Sequence, residues 1–222
     1  MKKNLLLTSV FITATIPLIY LAIIWNSVPE TVVLHFNEKM QPDRLGNKAE
    51  LWIPVGIMSV VSIGVFFLLN NISRFDPKQK TAVPSSTFNK LAAGLVVFMT
   101  ALSFILIISA VKGSLVLEKF LFPLIGLLFA FIGNYMNNIK PNYFVGIRLP
   151  WTLSDDDNWR RTHHLASKIW FVGGICIAAI SLFVPFKITV PIFIGATIVM
   201  VLIPAVYSYR LFKAAKSNEQ ST

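Results

Sequence analysis

The chain has 222 residues, 55% of them hydrophobic and only 14% charged, with a mean hydropathy of +0.68. That lies outside the usual composition of a soluble globular domain and marks a membrane protein. The formal charge of +10 does not call for nucleic acid, because basic residues gathered on one side of a bilayer set topology and attract anionic lipid.

Six apolar runs, at 5–25, 51–69, 91–111, 120–136, 169–186 and 188–209, approach the roughly 20 residues that cross a hydrocarbon layer about 30 Å thick. Runs this continuous are helices, since barrel strands would alternate in polarity. The reading is an all-α polytopic membrane protein, a bundle of about six transmembrane helices. Met1-Lys2-Lys3 ahead of the first run resembles a secretory signal, yet the run outlasts a signal core and no small-x-small cleavage pattern closes it. A retained first helix follows.

The loop 26–50 comes next. Residues 31–35 are β-branched and apolar enough for a short extended piece, and a turn is predicted around 37–43. His35 is the chemically distinctive residue there, with Pro29, Asn37 and Asp43 beside it. The stretch 70–89, rich in Ser, Pro, Asn and Lys, reads as a solvated linker. It divides the chain into an N-terminal two-helix region at 1–75, a linker at 76–90 and a four-helix region at 91–222. A short turn at 112–119 joins the third and fourth runs, and residues 185–187 separate the last two.

No Asp, Glu, Lys, Arg or His falls inside a run, which argues against a pump or an ion-coupled transporter. Thr13, Thr15, Ser62, Thr100, Ser103 and Ser181 serve helix packing on this reading. Asn134 and Tyr135 close the fourth run and border the polar segment that follows. With the connections alternating between sides, 14 of the 20 basic residues fall on one side and 6 on the other. The excess of positive charge then places both termini in the cytoplasm.

The polar segment 137–168 is the densest chemistry in the chain. Pro141 and Pro150 restrict the backbone and Gly146 permits positive φ, so residues 140–151 are predicted to form an irregular folded turn. Ser154 followed by Asp155, Asp156 and Asp157 reads as a capping-box-like helix start, with Asp156–Arg160 and Asp157–Arg161 as i,i+4 pairs. Trp159, His163, Ala166 and Trp170 then share one helix face. Trp151, Trp159 and Trp170 fit interfacial anchors or the walls of a docking pocket.

Catalysis and metal binding find no support in these residues. His163 and His164 are adjacent and diverge by about 100° on a helix, and His35 belongs to the opposite side of the membrane. Nucleophile elbow, P-loop and His-x-x-x-His spacing are all absent. The reading is a non-enzyme with no cofactor. The single cysteine, Cys176, permits no intramolecular disulfide.

The run Pro141-Asn142-Tyr143-Phe144-Val145-Gly146-Ile147-Arg148-Leu149-Pro150-Trp151-Thr152-Leu153, with Trp159, Arg160, Thr162 and His163, resembles the signature of the SdpI family. These are bacterial membrane proteins named for immunity to a secreted toxin peptide. Val28-Pro29-Glu30, His35-Phe36-Asn37, Pro42-Asp43, Gly46 and Lys48 are similar to a small membrane domain of unknown function often found ahead of that signature. Leu149 stands where the family more often has Thr, and Met40 where Gly is usual. The resemblance implies resistance to an extracellular peptide toxin and capture of a cytoplasmic repressor at the membrane, with no direct contact to nucleic acid. It places the partner-binding motif at Asn142, Gly146, Arg148, Pro150, Trp151, Trp159 and His163, with Arg148 as the pivotal cation paired to one of Asp155, Asp156 or Asp157, or to a carboxylate of the partner. A membrane enzyme or small-molecule transporter, and a structural membrane protein whose motif only locks two helices together, are the alternatives.

Overall fold

The computed structural model describes residues 2–72, 85–113 and 115–219. The chain runs α1 (Lys2–Ile24), β1 (Thr31–Phe36), β2 (Pro42–Asn47), α2 (Trp52–Asn70), α3 (Ser85–Lys112), α4 (Leu115–Met136), a short α5 (Pro150–Ser154), α6 (Asp156–Phe183) and α7 (Phe186–Glu219). Six of these helices are long and apolar enough to cross a membrane, so the chain is a multi-pass α-helical membrane protein. The linker expected at 76–90 lies outside the described residues as far as 84, and from Ser85 onward the chain is already helical. The turn expected at 112–119 shrinks to the join between Lys112 and Leu115, where Gly113 takes φ +95°.

Two buried clusters mark the two ends of the bundle. One gathers Val10, Leu69, Phe88, Leu91, Ile139 and Trp159; the other gathers Leu21, Val32, Leu51, Val55, Ile107 and Ala110. Helix α3 joins them, with Phe88 in the first and Ala110 in the second, about 33 Å apart on a straight helix. His35, on the strand that carries Val32, and His163, one turn from Trp159, therefore belong to opposite ends. A shared metal site is impossible.

Helices α4 and α6 approach most closely because glycines face one another across their seam. A Cβ placed on Gly174 would lie 2.3 Å from the Ala130 amide nitrogen, and one on Gly133 would lie 2.4 Å from that of Phe171. In lipid, where burial of apolar surface gives helices no reason to associate, such backbone contact supplies the van der Waals attraction.

The loop 26–50 holds a β-hairpin. β1 pairs antiparallel with β2, from Thr31 opposite Asn47 to Phe36 opposite Pro42. The second strand, Pro-Asp-Arg-Leu-Gly-Asn, carries no apolar alternation, so the turn predicted over 37–43 absorbed its first residues. Asn37 closes that turn: its Oδ1 accepts from the Lys39 amide at 2.9 Å and the Gln41 amide at 3.0 Å. Met40 adopts φ +57°, a left-handed conformation that strains any side chain with a Cβ. The position where a Gly is usual in similar sequences is the one whose backbone favours it, and burial of the Met40 side chain offsets the strain.

Candidate functional site

Residues 137–168 fold into a knot whose hydrogen bonds are nearly all internal. After α4 the chain turns at Ile139, and Asn142 organises the next turn. Its Oδ1 accepts from the amides of Phe144 and Val145, both at 2.8 Å. Its Nδ2 donates to the carbonyls of Lys140 at 2.8 Å and Val145 at 3.1 Å. All four hydrogen-bonding positions of a fully buried amide are thereby used. Asn142→Ala is expected to cost about 2 kcal/mol, because two buried amide N–H groups lose their acceptor; the thermal unfolding midpoint in detergent measures it.

Gly146 brings the chain down onto α6. It takes φ +113°, and a Cβ there would lie 2.4 Å from His163 Nε2 and 3.1 Å from the Trp159 ring. The next amide, of Ile147, donates to that Nε2 at 3.0 Å, while His163 Nδ1 donates to the Trp159 carbonyl at 2.9 Å. An imidazole that accepts through Nε2 and donates through Nδ1 is the neutral tautomer. Its ring stacks on Trp159 with centroids 4.0 Å apart, and the Trp159 indole donates to the Ile139 carbonyl at 2.8 Å. Trp159 is 1% exposed, so the interfacial role weighed for it is excluded; it forms the centre of the knot.

Helix α5 was not anticipated, since Pro150 reads as a breaker when it in fact occupies the first helical turn, where its missing N–H costs nothing. Thr152 Oγ1 accepts from the Leu149 amide at 2.9 Å and lies 2.8 Å from the Ile147 carbonyl. This ties the helix start to the His163 bond. Asp155, rather than Ser154, caps α6, with its Oδ1 accepting from the amides of Asp157 at 2.8 Å and Asn158 at 3.2 Å. Asp157 takes both Arg160 and Arg161, each at 2.7 Å, so the predicted Asp156–Arg160 pair is replaced by an i,i+3 contact. Arg148 does not pair with these acids. Its Nη1 donates to the Tyr143 carbonyl, clasping the loop on its outer side.

The far wall comes from α7. Trp151 Nε1 donates to Ser208 Oγ at 2.9 Å, and its ring stacks on Phe212 and meets Tyr209 edge-on. Asn158 Nδ2 donates to the Ser208 carbonyl at 2.9 Å and its Oδ1 accepts from Thr162 Oγ1 at 3.0 Å. Trp170 Nε1 donates to the Met200 carbonyl at 3.0 Å. Asn158 and Ser208 were missed in the sequence, and Thr162 entered only through the resemblance. Asn158 and Thr162 were detectable, as polar residues spaced i,i+4 beside the Trp159 face; Ser208, fifty residues from Asn158, carries no such sign.

At the other end, His35 Nδ1 lies 2.6 Å from Asp43 Oδ1 on the exposed face of the hairpin. Pro29 is exposed, and Asn37 is spent on its turn. Of the predicted residues there, the structure joins only His35 and Asp43. Glu30 pairs with Lys48 at 2.8 Å, and the Lys48 amine also lies over the Trp25 ring. Among the described residues, no group of three or more His, Cys, Asp or Glu is placed to hold a metal.

Comparison with known proteins divides the chain in the same way. Residues 138–208 match the SdpI/YfhL protein family, and residues 12–59 match a domain of unknown function, DUF1648. Residues 60–137 fall in neither segment. The chain is 32% identical over 89 residues to the "Immunity protein SdpI" of Bacillus subtilis (strain 168). That alignment covers 40% of this chain and 42% of the relative. No solved structure matches.

Proposed function

We propose that this chain, whose residues 138–208 match the SdpI/YfhL protein family, is a bacterial inner-membrane immunity protein that also acts as a receptor. It would resist a secreted peptide toxin on the outside and hold a cytoplasmic repressor on the inside. One observation carries the reading. The family segment begins one residue before Ile139, which accepts from Trp159, and ends at Ser208, which accepts from Trp151 and Asn158. The matched region holds nearly all of the hydrogen-bonded knot together with the α7 residue that closes it.

Within that unit the roles separate. Asn142, Gly146, Trp159 and His163 are buried or turned inward and act as a lock. Tyr143, Phe144 and Arg148 are exposed on the outside of the loop, where a partner protein can reach them. The locked interior keeps these three in a fixed arrangement, which lowers the ordering cost of binding. The hairpin, with His35, Asp43 and the exposed Arg44 and Leu45, is the surface for the peptide. Coupling between the two ends requires that toxin bind one arrangement of the bundle better than another, since a ligand shifts an equilibrium only by its differential affinity.

Expression in a toxin-sensitive bacterium challenged with a secreted toxin peptide tests the proposal. Survival is expected to rise. Unchanged killing at normal membrane levels of the protein sinks it. Combined Tyr143→Ala, Phe144→Ala and Arg148→Ala is expected to leave the protein inserted and folded while abolishing repressor capture.

A further inference from the structure

Two cavities adjoin on the outer flank of the knot, and neither is used by the functions above. One, of about 450 Å³, is walled by Ile139, Lys140, Pro141, Asp156, Trp159 and Arg160 among others; the second, of about 400 Å³, is lined by Asn137, Arg160, Arg161 and His164. They share Asn137 and Arg160. We propose that this double cleft binds the phosphodiester headgroup of an anionic membrane phospholipid.

Charge is the first argument. Lys140, Arg160 and Arg161 bring three cations to the walls, against the carboxylates of Asp156 and Asp157. Arg160 and Arg161 each commit one nitrogen to Asp157, and a guanidinium has five N–H donors in a planar fork suited to phosphate oxygens. Among the described residues, Lys140 has no carboxylate within ion-pair distance. His164 Nδ1 lies 3.2 Å from Asn137 Oδ1, which ties the two walls together.

Depth is the second. Asn137 follows directly on Met136, the last residue of α4. His164 stands five residues before the apolar stretch that begins at Ile169, about 7.5 Å along a helix. The polar layer on each face of a bilayer is about 5–7 Å deep, so the cleft rises from the hydrocarbon edge at Asn137 through the headgroup layer and on towards Asp156. Half-buried Pro141 lends the wall an apolar part, with Ile139 and Trp159 buried behind it.

The proposal does not depend on toxin immunity and is tested without it. The full chain is purified in mild detergent and loaded with phosphatidylglycerol or phosphatidylcholine, and bound lipid is counted by native mass spectrometry. Phosphatidylglycerol is expected to be retained preferentially. Lys140→Gln is expected to lower that retention about fivefold, the worth of one cation near an anionic surface, and Lys140→Gln with Arg161→Gln to lower it further. Both variants are expected to keep the wild-type unfolding midpoint in phosphatidylcholine. Equal retention of the two lipids, or retention unchanged in the Lys140→Gln protein, overturns the proposal. So does stabilisation by millimolar inorganic phosphate equal to that given by the lipid, which would make the site one for a soluble anion.

Discussion

Gly146→Ala is expected to unfold the knot although it adds a single methyl group. The new Cβ would lie 2.4 Å from His163 Nε2, closer than real Cβ contacts allow, and His163 is fixed by stacking on Trp159 and by its bond to the Trp159 carbonyl. The backbone at φ +113° adds a strain of about 1–3 kcal/mol for any residue with a Cβ. Displacing the ring also breaks the Ile147–His163 bond, leaving a buried donor unsatisfied at a further cost of about 1–3 kcal/mol. The sum, about 2–6 kcal/mol, approaches the whole stability of many small domains. The unfolding midpoint of the variant in detergent should fall sharply. In the double variant Gly146→Ala with His163→Ala the methyl group has room, and the two losses should be less than additive. Strict additivity would mean that the ring does not limit residue 146.

Gly174→Val should separate α4 from α6. A Cβ at Gly174 meets the Ala130 amide nitrogen at 2.3 Å and the Gly126 carbonyl oxygen at 2.5 Å; both are backbone atoms that no rotamer change can move. The helices must part by on the order of 1 Å, forfeiting much of the dispersion energy along their seam, for a cost of at least about 3 kcal/mol. Gly56, Gly64 and Gly195 provide the contrast, because a Cβ at any of them meets nothing within 4 Å. Alanine at those positions should be neutral or stabilising by up to about 1 kcal/mol, since glycine is the poorer helix former. The yield of monodisperse protein from detergent, compared across the four variants, separates the two classes. Equal yields would show that the α4–α6 seam tolerates separation.

The helices were legible in the sequence because a bilayer demands long apolar runs, and each of the six runs corresponds to a helix of the structure. Their ends were less legible. The start of α6 at Asp156 showed in its acidic cap, but α7 continues to Glu219, well beyond the apolar limit at 209, because a helix extends into water wherever its residues support it. β2 escaped notice because its residues alternate nothing, and pairing with β1 supplies what its composition does not. In the knot, Trp159 and His163 declared themselves by sharing a helix face. Arg148 misled, because a cation near three carboxylates suggests an ion pair when a backbone carbonyl in its own loop is closer. What spacing cannot display is a partner distant in the chain, and Ile139 and Ser208, which satisfy three indole and amide donors between them, are of that kind.

Dependence on Ser208 also imposes an order on synthesis. The inner part of the knot, from Ile139 to His163, has all its partners as soon as α6 has emerged. Trp151 and Asn158 do not, because their acceptor lies fifty residues later, in the final helix. A chain that has delivered α6 but not α7 has therefore made a loop that is folded but still detached on one side. Delivery of α7 is the event that fastens it, so the exposed residues of the loop take their bearing only after that helix has emerged.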